Sequence, residues 1–229
     1  ENMELTHGGD WAGYRAKFGH DALDFSANVS PLGLPEGVAL AIVNALPTAD
    51  RYPDPLCREL RQKLSASENV HENQILCGNG AADLIFRLVL AKKPRRALLP
   101  APTFAEYASA LKTVGCEVEY FFLKEENDFE ITEELLSALH ETIDMVFLCQ
   151  PNNPTGQIVT SSFLEKLLKN AGVSCNARHR RVFPRFSPGA RKPDCKALFS
   201  AVPRACYSES FHKIIRHGGR AARLCTQRR

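Results

Sequence analysis

The sequence predicts an α/β fold, a mostly parallel sheet covered on both faces by helices and preceded by an N-terminal segment. Three observations carry this expectation. Between residues 73 and 156, short apolar runs alternate with longer runs of helical periodicity. The short runs are near-continuously apolar, as strands buried on both faces are. A small-residue turn (78–82) and a proline-rich turn (150–156) fall where predicted strands end, which is where the connections of such folds carry their chemistry.

The elements follow in order. In the first seventy residues, SANVSPLGLPEG (26–37) and RYPDP (51–55) are irregular, and VALAIVNAL (38–46) between them is a helix. QILC (74–77) is a short strand and GNGAADLIFRLVLA (78–91) a helix that Pro94 ends. RALLP (96–100) is the next strand. Thr103 then opens a helix with Glu106 as its capping-box partner and with Phe104, Tyr107, Ala108 and Leu111 at helical spacing. That helix closes at Gly115. EVEYFFL (117–123) is a strand, ITEELLSALH (131–140) a helix and MVFLCQ (145–150) a strand. SSFLEKLLKN (161–170) is an amphipathic helix with Ser162 and Glu165 as its capping pair.

This gives three regions: 1–72, an N-terminal segment with part of a small domain; 73–173, a partial large domain; and 174–229, an aberrant basic tail. The tail holds fourteen Lys and Arg against two Asp and Glu, a net +12, whereas residues 1–173 are net −9. The formal +3 of the whole chain therefore describes neither part. Such an asymmetry ordinarily points to a nucleic-acid-binding tail, but without interleaved aromatics it would support only nonspecific phosphate contacts. Zinc is a poor reading of Cys175, His179, Cys195, Cys206, His212, His217 and Cys225, because no Cys-x-x-Cys or His-x(3–5)-His pair has a matching partner. With few amphipathic periods, the tail is expected to be disordered.

At 44% apolar residues the chain has the composition of a globular protein. It has no apolar run of membrane-spanning length and no basic-then-apolar leader at its first residues. Cys57, Cys77, Cys116 and Cys149 are scattered, which predicts reduced packing thiols in a cytoplasmic protein rather than a disulfide framework.

Two motifs bear a site. In the 78–82 turn (GNGAA), small residues let backbone N–H groups approach an anion at a helix N-terminus. No Lys-Ser/Thr follows, so it is not a P-loop, and taken alone a plain tight turn explains it equally well. In QPNNPTG (150–156), two prolines fix the backbone and project Asn153 from the carboxyl end of the sheet. With PTFAEY between them, these motifs resemble the aspartate-aminotransferase superfamily, fold type I of the pyridoxal-phosphate (PLP) enzymes. The resemblance runs from residue 5 to about 172 and is nearer to the histidinol-phosphate aminotransferase branch. Within that branch, HGGDW (7–11), DFSANVSPLGLP (24–35), RYPDP and PTFAEYASAL (102–111) are similar to the threonine-phosphate decarboxylases of cobalamin synthesis.

The resemblance implies roles. The backbone of Gly80, Ala81 and Ala82 would hold the PLP phosphate. Tyr107 would stack on the pyridine ring, with Phe104 as the competing candidate. Asn153 would hydrogen-bond the ring's phenolic oxygen. His7, Gly8 and Asn28, with Asn153, would line the substrate pocket, although His7 is equally a mobile N-terminal residue. The substrate would be a small phosphorylated amino acid, and the intact family would be homodimeric, with no nucleic acid or membrane partner. The implied reaction is decarboxylation of L-threonine O-3-phosphate to 1-amino-2-propanol O-2-phosphate. The alternatives are transamination of histidinol phosphate, or a catalytically dead binding module of the same fold.

The family also needs an aspartate for the ring nitrogen, in a DECFLDF-like segment, and a lysine that binds the cofactor covalently, in an AFTK-x-YA-x-x-G-x-RLGY segment. Neither string occurs, so no catalytic residue is assigned. Lys213 lies near the expected distance but its neighbours do not match. The genetic code accounts for this. Residues 209–225 back-translate, with third bases chosen freely, to a run opening GAA AGC TTT CAC AAA, which read one base later gives KAFTKSYAMAGVRLGY. The same displacement over 175–186 permits AMRDIDECFLDF. Free third bases do not readily produce two long motifs in the right order, frame and spacing. The tail therefore reads as a one-base slip near residues 172–175, and the chain as inactive and incomplete on its C-terminal side.

Overall fold

A computed structural model describes residues 8–27, 32–68, 71–170, 176–181 and 206–209. Seven helices are seen among them: α1 (Trp11–Phe18), α2 (Glu36–Ala45), α3 (Arg58–Glu68), α4 (Gly80–Lys92), α5 (Glu106–Lys112), α6 (Glu134–Ser137) and α7 (Ser161–Asn170). The strands are β1 (Arg96–Ala101), β2 (Glu117–Phe122), β3 (Met145–Gln150), β4 (Asn176–Arg181) and β5 (Cys206–Glu209). They form one sheet in the order β2-β1-β3-β4-β5, and every pairing is parallel. The predicted α/β class is the observed one.

Each residue of β3 is buried, which explains its unbroken apolar sequence. Its side chains alternate between two cores, as strand geometry requires. Val146 and Leu148, with Leu98 of β1, meet Leu135 of α6 and Phe163, Leu164 and Leu167 of α7 on one face. Met145, Phe147 and Cys149, with Ala97 and Leu99, meet Ile85 and Val89 of α4 and Tyr107, Ala110 and Leu111 of α5 on the other. The apolar stripes of α4 to α7 thus each have a sheet face to cover. No helix among the described residues is long and apolar enough to cross a membrane.

Several expectations change. Residues 75–77 form no strand: Ile75 is extended, but a 3-10 turn (Glu72–Gln74) precedes it and no strand among the described residues pairs with it. The 131–140 helix shrinks to α6. The Thr103–Glu106 capping box does not form. Ala105 is the N-cap of α5, and the Thr103 hydroxyl donates instead to Asn152 Oδ1 at 3.1 Å. At α7 the oxygen that accepts from the Phe163 N–H, at 3.3 Å, belongs to Thr160 rather than Ser162.

The tail is not featureless throughout. β4 and β5 lie within it, β4 pairing with β3 over Asn176–Arg181 and β5 with β4. These ladders use main-chain groups that any sequence carries, and they close the edge that β3 would otherwise leave open. The rest of the expected disorder, and Lys213, lie outside the described residues.

Candidate functional site

The carboxyl ends of the parallel strands are where an open α/β sheet binds ligands. α4 feeds β1 through a short connection, so its N-terminus lies at that edge, as does the start of α5. The turn before α4 is built for close approach. Gly80 has φ +80°, a conformation that favours glycine. A Cβ on Gly78 would lie 2.6 Å from Asp83 Oδ2 and 2.7 Å from Leu84 Cδ2. The Gly80 N–H is already spent on the Gly78 carbonyl at 3.0 Å. The first-turn donors of Ala81 and Ala82 lack an intrahelical acceptor, as at any helix start. Asp83 turns back to accept from the Asn79 N–H at 2.8 Å, with the Arg87 guanidinium 3.7 Å away.

A second loop pair lies at the same carboxyl edge. Asn152, 7% exposed, ties the segment after β1 to the segment after β3. Its Nδ2 donates to the Pro102 carbonyl and to Thr155 Oγ1, both at 2.9 Å, while its Oδ1 accepts from Thr103. Its backbone N–H donates to the Gln157 carbonyl at 2.8 Å and its carbonyl accepts from the Gly156 N–H at 2.7 Å. Beneath it, buried Gln150 exchanges two hydrogen bonds with the Val159 backbone. Asn153, half-buried, is thus held between two fixed neighbours. The sequence reading singled out Asn153 and missed Asn152. The signal was available, since one of two adjacent asparagines in a proline-fixed loop must face inward.

Tyr107 is placed differently from the expectation. Its ring stacks on Phe147 at 4.6 Å between centroids and meets Phe104 edge-on at 5.6 Å, and it is 1% exposed. It therefore offers no open ring face to a ligand. Phe104, the competing candidate, is half-buried at the start of α5, on the margin of the same core cluster as Ala81.

At the N-terminal side, the HGGDW and DFSAN motifs are brought together. Gly9 N–H donates to Ser26 Oγ at 2.9 Å, and a Cβ on Gly8 would lie 2.3 Å from the Ser26 carbonyl oxygen. Asp24 accepts from Trp11 Nε1 at 2.6 Å and from the Ser26 hydroxyl and N–H. Those bonds, the Ser26 hydroxyl foremost, hold its carboxyl below the usual value. His7 and Asn28 lie outside the described residues.

Residues 20–175 match the family model of aminotransferase class I and II. The chain belongs to this family. It is 41% identical over 145 residues to a threonine-phosphate decarboxylase of Salmonella typhimurium, a match covering 63% of the chain and 40% of that protein. It is 29% identical to a histidinol-phosphate aminotransferase of Methanococcus aeolicus, covering 71% of the chain and 45% of the relative. The crystal structure of a histidinol-phosphate aminotransferase from Sinorhizobium meliloti in complex with pyridoxal-5'-phosphate superposes with a TM-score of 0.81. That match covers 92% of the chain and 57% of the other at 19% identity, and it establishes the fold. The chain spans less than half the length of the curated relatives it matches. Pyridoxal phosphate is the cofactor of this family.

The described residues fit one side of that cofactor. Gly80 supplies the positive φ the turn needs, Gly78 lets the turn pack against Asp83 and Leu84, and the α4 N-terminus supplies N–H donors and favourable partial charge for a phosphate.

Proposed function

We propose that the chain is the phosphate-binding part of a PLP-dependent carboxy-lyase acting on L-threonine O-3-phosphate, and that as written it does not complete the reaction. The observation that supports this most is the convergence at one sheet edge of the glycine turn before α4, Phe104 and Asn153, the last two fixed by the Asn152 clamp. The Ala81 and Ala82 N–H groups would hold the cofactor phosphate. Phe104, rather than Tyr107, would cover one ring face, and Tyr107 would support it from the core. Asn153 would donate to the ring's phenolic oxygen. His7, Gly8 and Asn28 would take the substrate, with Gly8 held beside Ser26 by the Gly9 N–H, next to the Asp24–Ser26–Trp11 staple. When bound, PLP supplies an electron sink for the pair left as a bond at Cα breaks. Identity to the Salmonella decarboxylase favours loss of the carboxylate and formation of 1-amino-2-propanol O-2-phosphate. Transamination of histidinol phosphate is the second reading, favoured by the wider reach of the Methanococcus match.

Exposed apolar side chains on the N-terminal segment, Leu23, Phe25, Leu40, Leu46 and Tyr52 among them, form the kind of surface that marks association. A second copy of the intact protein would cover it. The test is a PLP titration of the chain followed by borohydride reduction and mass spectrometry. Saturable but weak binding that Gly80→Val abolishes, with no covalent adduct, is expected. A stoichiometric adduct on Lys213, or PLP binding unchanged by Gly80→Val, would overturn the proposal.

A further inference from the structure

Two thiols outside the proposed cofactor site lie against each other. Cys57 is the residue before α3, and Cys77 is the residue before the 78–82 turn. Both line one open cleft of about 760 Å³ that also takes in Arg61, Arg87 and Asp83, and the Cys57 thiol acts on the acidity of Cys77 there. Neither is in a disulfide, and both are half-buried, whereas Cys116 and Cys149 are buried.

The local backbone holds Cys57 in this place. It has φ +49°, a left-handed conformation that costs a residue with a Cβ. The turn before it is fixed by Asp54, whose carboxylate accepts from the Leu56 and Arg58 N–H groups and whose carbonyl accepts from Cys57 N–H. Strained backbone held by several bonds points to a positional requirement.

We propose that Cys57 and Cys77 are a reversible dithiol–disulfide pair, oxidised by small-molecule disulfides, that ties the 51–57 loop to the segment before the 78–82 turn. The Cys57 thiolate attacks one sulfur of the small disulfide, and the first small thiolate leaves and takes up a proton. Cys77 then gives up its proton and attacks the Cys57 sulfur, and the second small thiol departs. One S–S bond forms in the protein and one is lost from the oxidant. Two electrons and two protons pass from the cysteines to the two released thiols. Burial pushes the Cys77 thiol up to about 11, and contact with Cys57 adds to this. Cys77 therefore stays protonated in the reduced pair and acts as the resolving group. A pair whose reduced form is not stabilised as thiolate holds its disulfide against reduction. The Arg61 guanidinium opposes the rise at Cys77 and assists the second attack.

The pair does not depend on PLP, so it is tested on the reduced chain without cofactor. After exposure to glutathione disulfide, acid quenching, alkylation and trypsin, peptide 52–58 should be found joined to peptide 64–87 with two hydrogens lost. This should precede any modification of Cys116 or Cys149. Cys77→Ser should instead accumulate a glutathione adduct on Cys57 that the parent chain does not retain. An equal adduct on Cys57 in parent and variant, or Cys57 joined indiscriminately to other cysteines, would overturn the proposal. So would a Cys57 that stays fully alkylatable. Failure of PLP binding bears on none of these outcomes.

Discussion

Asn152 carries more of the site's geometry than any other described side chain. It is buried and bonded on every polar atom, so losing it leaves the Pro102 carbonyl and Thr103 hydroxyl without their partner. Asn152→Ala is expected to cost about 1–3 kcal/mol, the usual penalty for orphaning buried polar groups, read as a lower urea midpoint at unchanged slope. An unchanged midpoint would show that the two loops hold themselves. The aromatics separate in the same way. Tyr107→Ala should destabilise by about 3 kcal/mol or more, as other large core truncations do, because its ring fills the space between Phe147 and Phe104. Phe104→Ala should leave stability nearly unchanged and weaken PLP binding about tenfold, measured by fluorescence titration. The reverse pattern would restore Tyr107 as the ring-facing residue. Helical spacing placed both aromatics on the apolar side of the predicted helix. It could not tell which of the two faces the core, because that depends on Phe147, forty positions beyond Tyr107.

The strands that the sequence marked best are those buried on both faces, β1 and β3, where apolar runs leave no other reading. Cues that rest on one local pair fared worse. The Thr103 hydroxyl found a tertiary partner in place of the predicted cap, and the 75–77 run found no strand to pair with. The joining of HGGDW to DFSAN was legible only as two motifs. The Asp24 carboxylate that links them is a long-range feature. Its lowered pKa means that the folded state favours the charged form. The stabilisation is therefore complete above the ordinary value of 3.8 and fades as pH falls through the lower folded-state value. Trp11 is the only tryptophan in the chain and donates directly to Asp24. Its emission should therefore change in an acid titration below the usual carboxylate range. Asp24→Asn should remove that titration. A titration that persists in the variant would show that Trp11 reports general acid unfolding instead.

The whole molecule joins a family domain to text of a different composition, net −9 against net +12. The sheet passes through that junction: β4 and β5 continue the parallel order beyond β3. This bears on the proposed frame slip. Reading one base later permits an aspartate at codon 180, at the carboxyl end of β4 and on the same edge as Asn153. It permits a lysine at codon 213, four positions in sequence beyond the last residue of β5. The aspartate that the family's chemistry needs would thus sit on a strand already in the sheet, which the composition of the tail gave no reason to expect. The measurement that bears most directly on this is the base sequence of the DNA encoding residues 172–229, where the freely chosen third bases become fixed. The account predicts that the frame one base later is open throughout and spells an acidic segment over codons 175–186 and a lysine at codon 213 followed by an arginine-leucine-glycine-tyrosine run. A stop codon in that frame, or unrelated residues at codons 180 and 213, would contradict it.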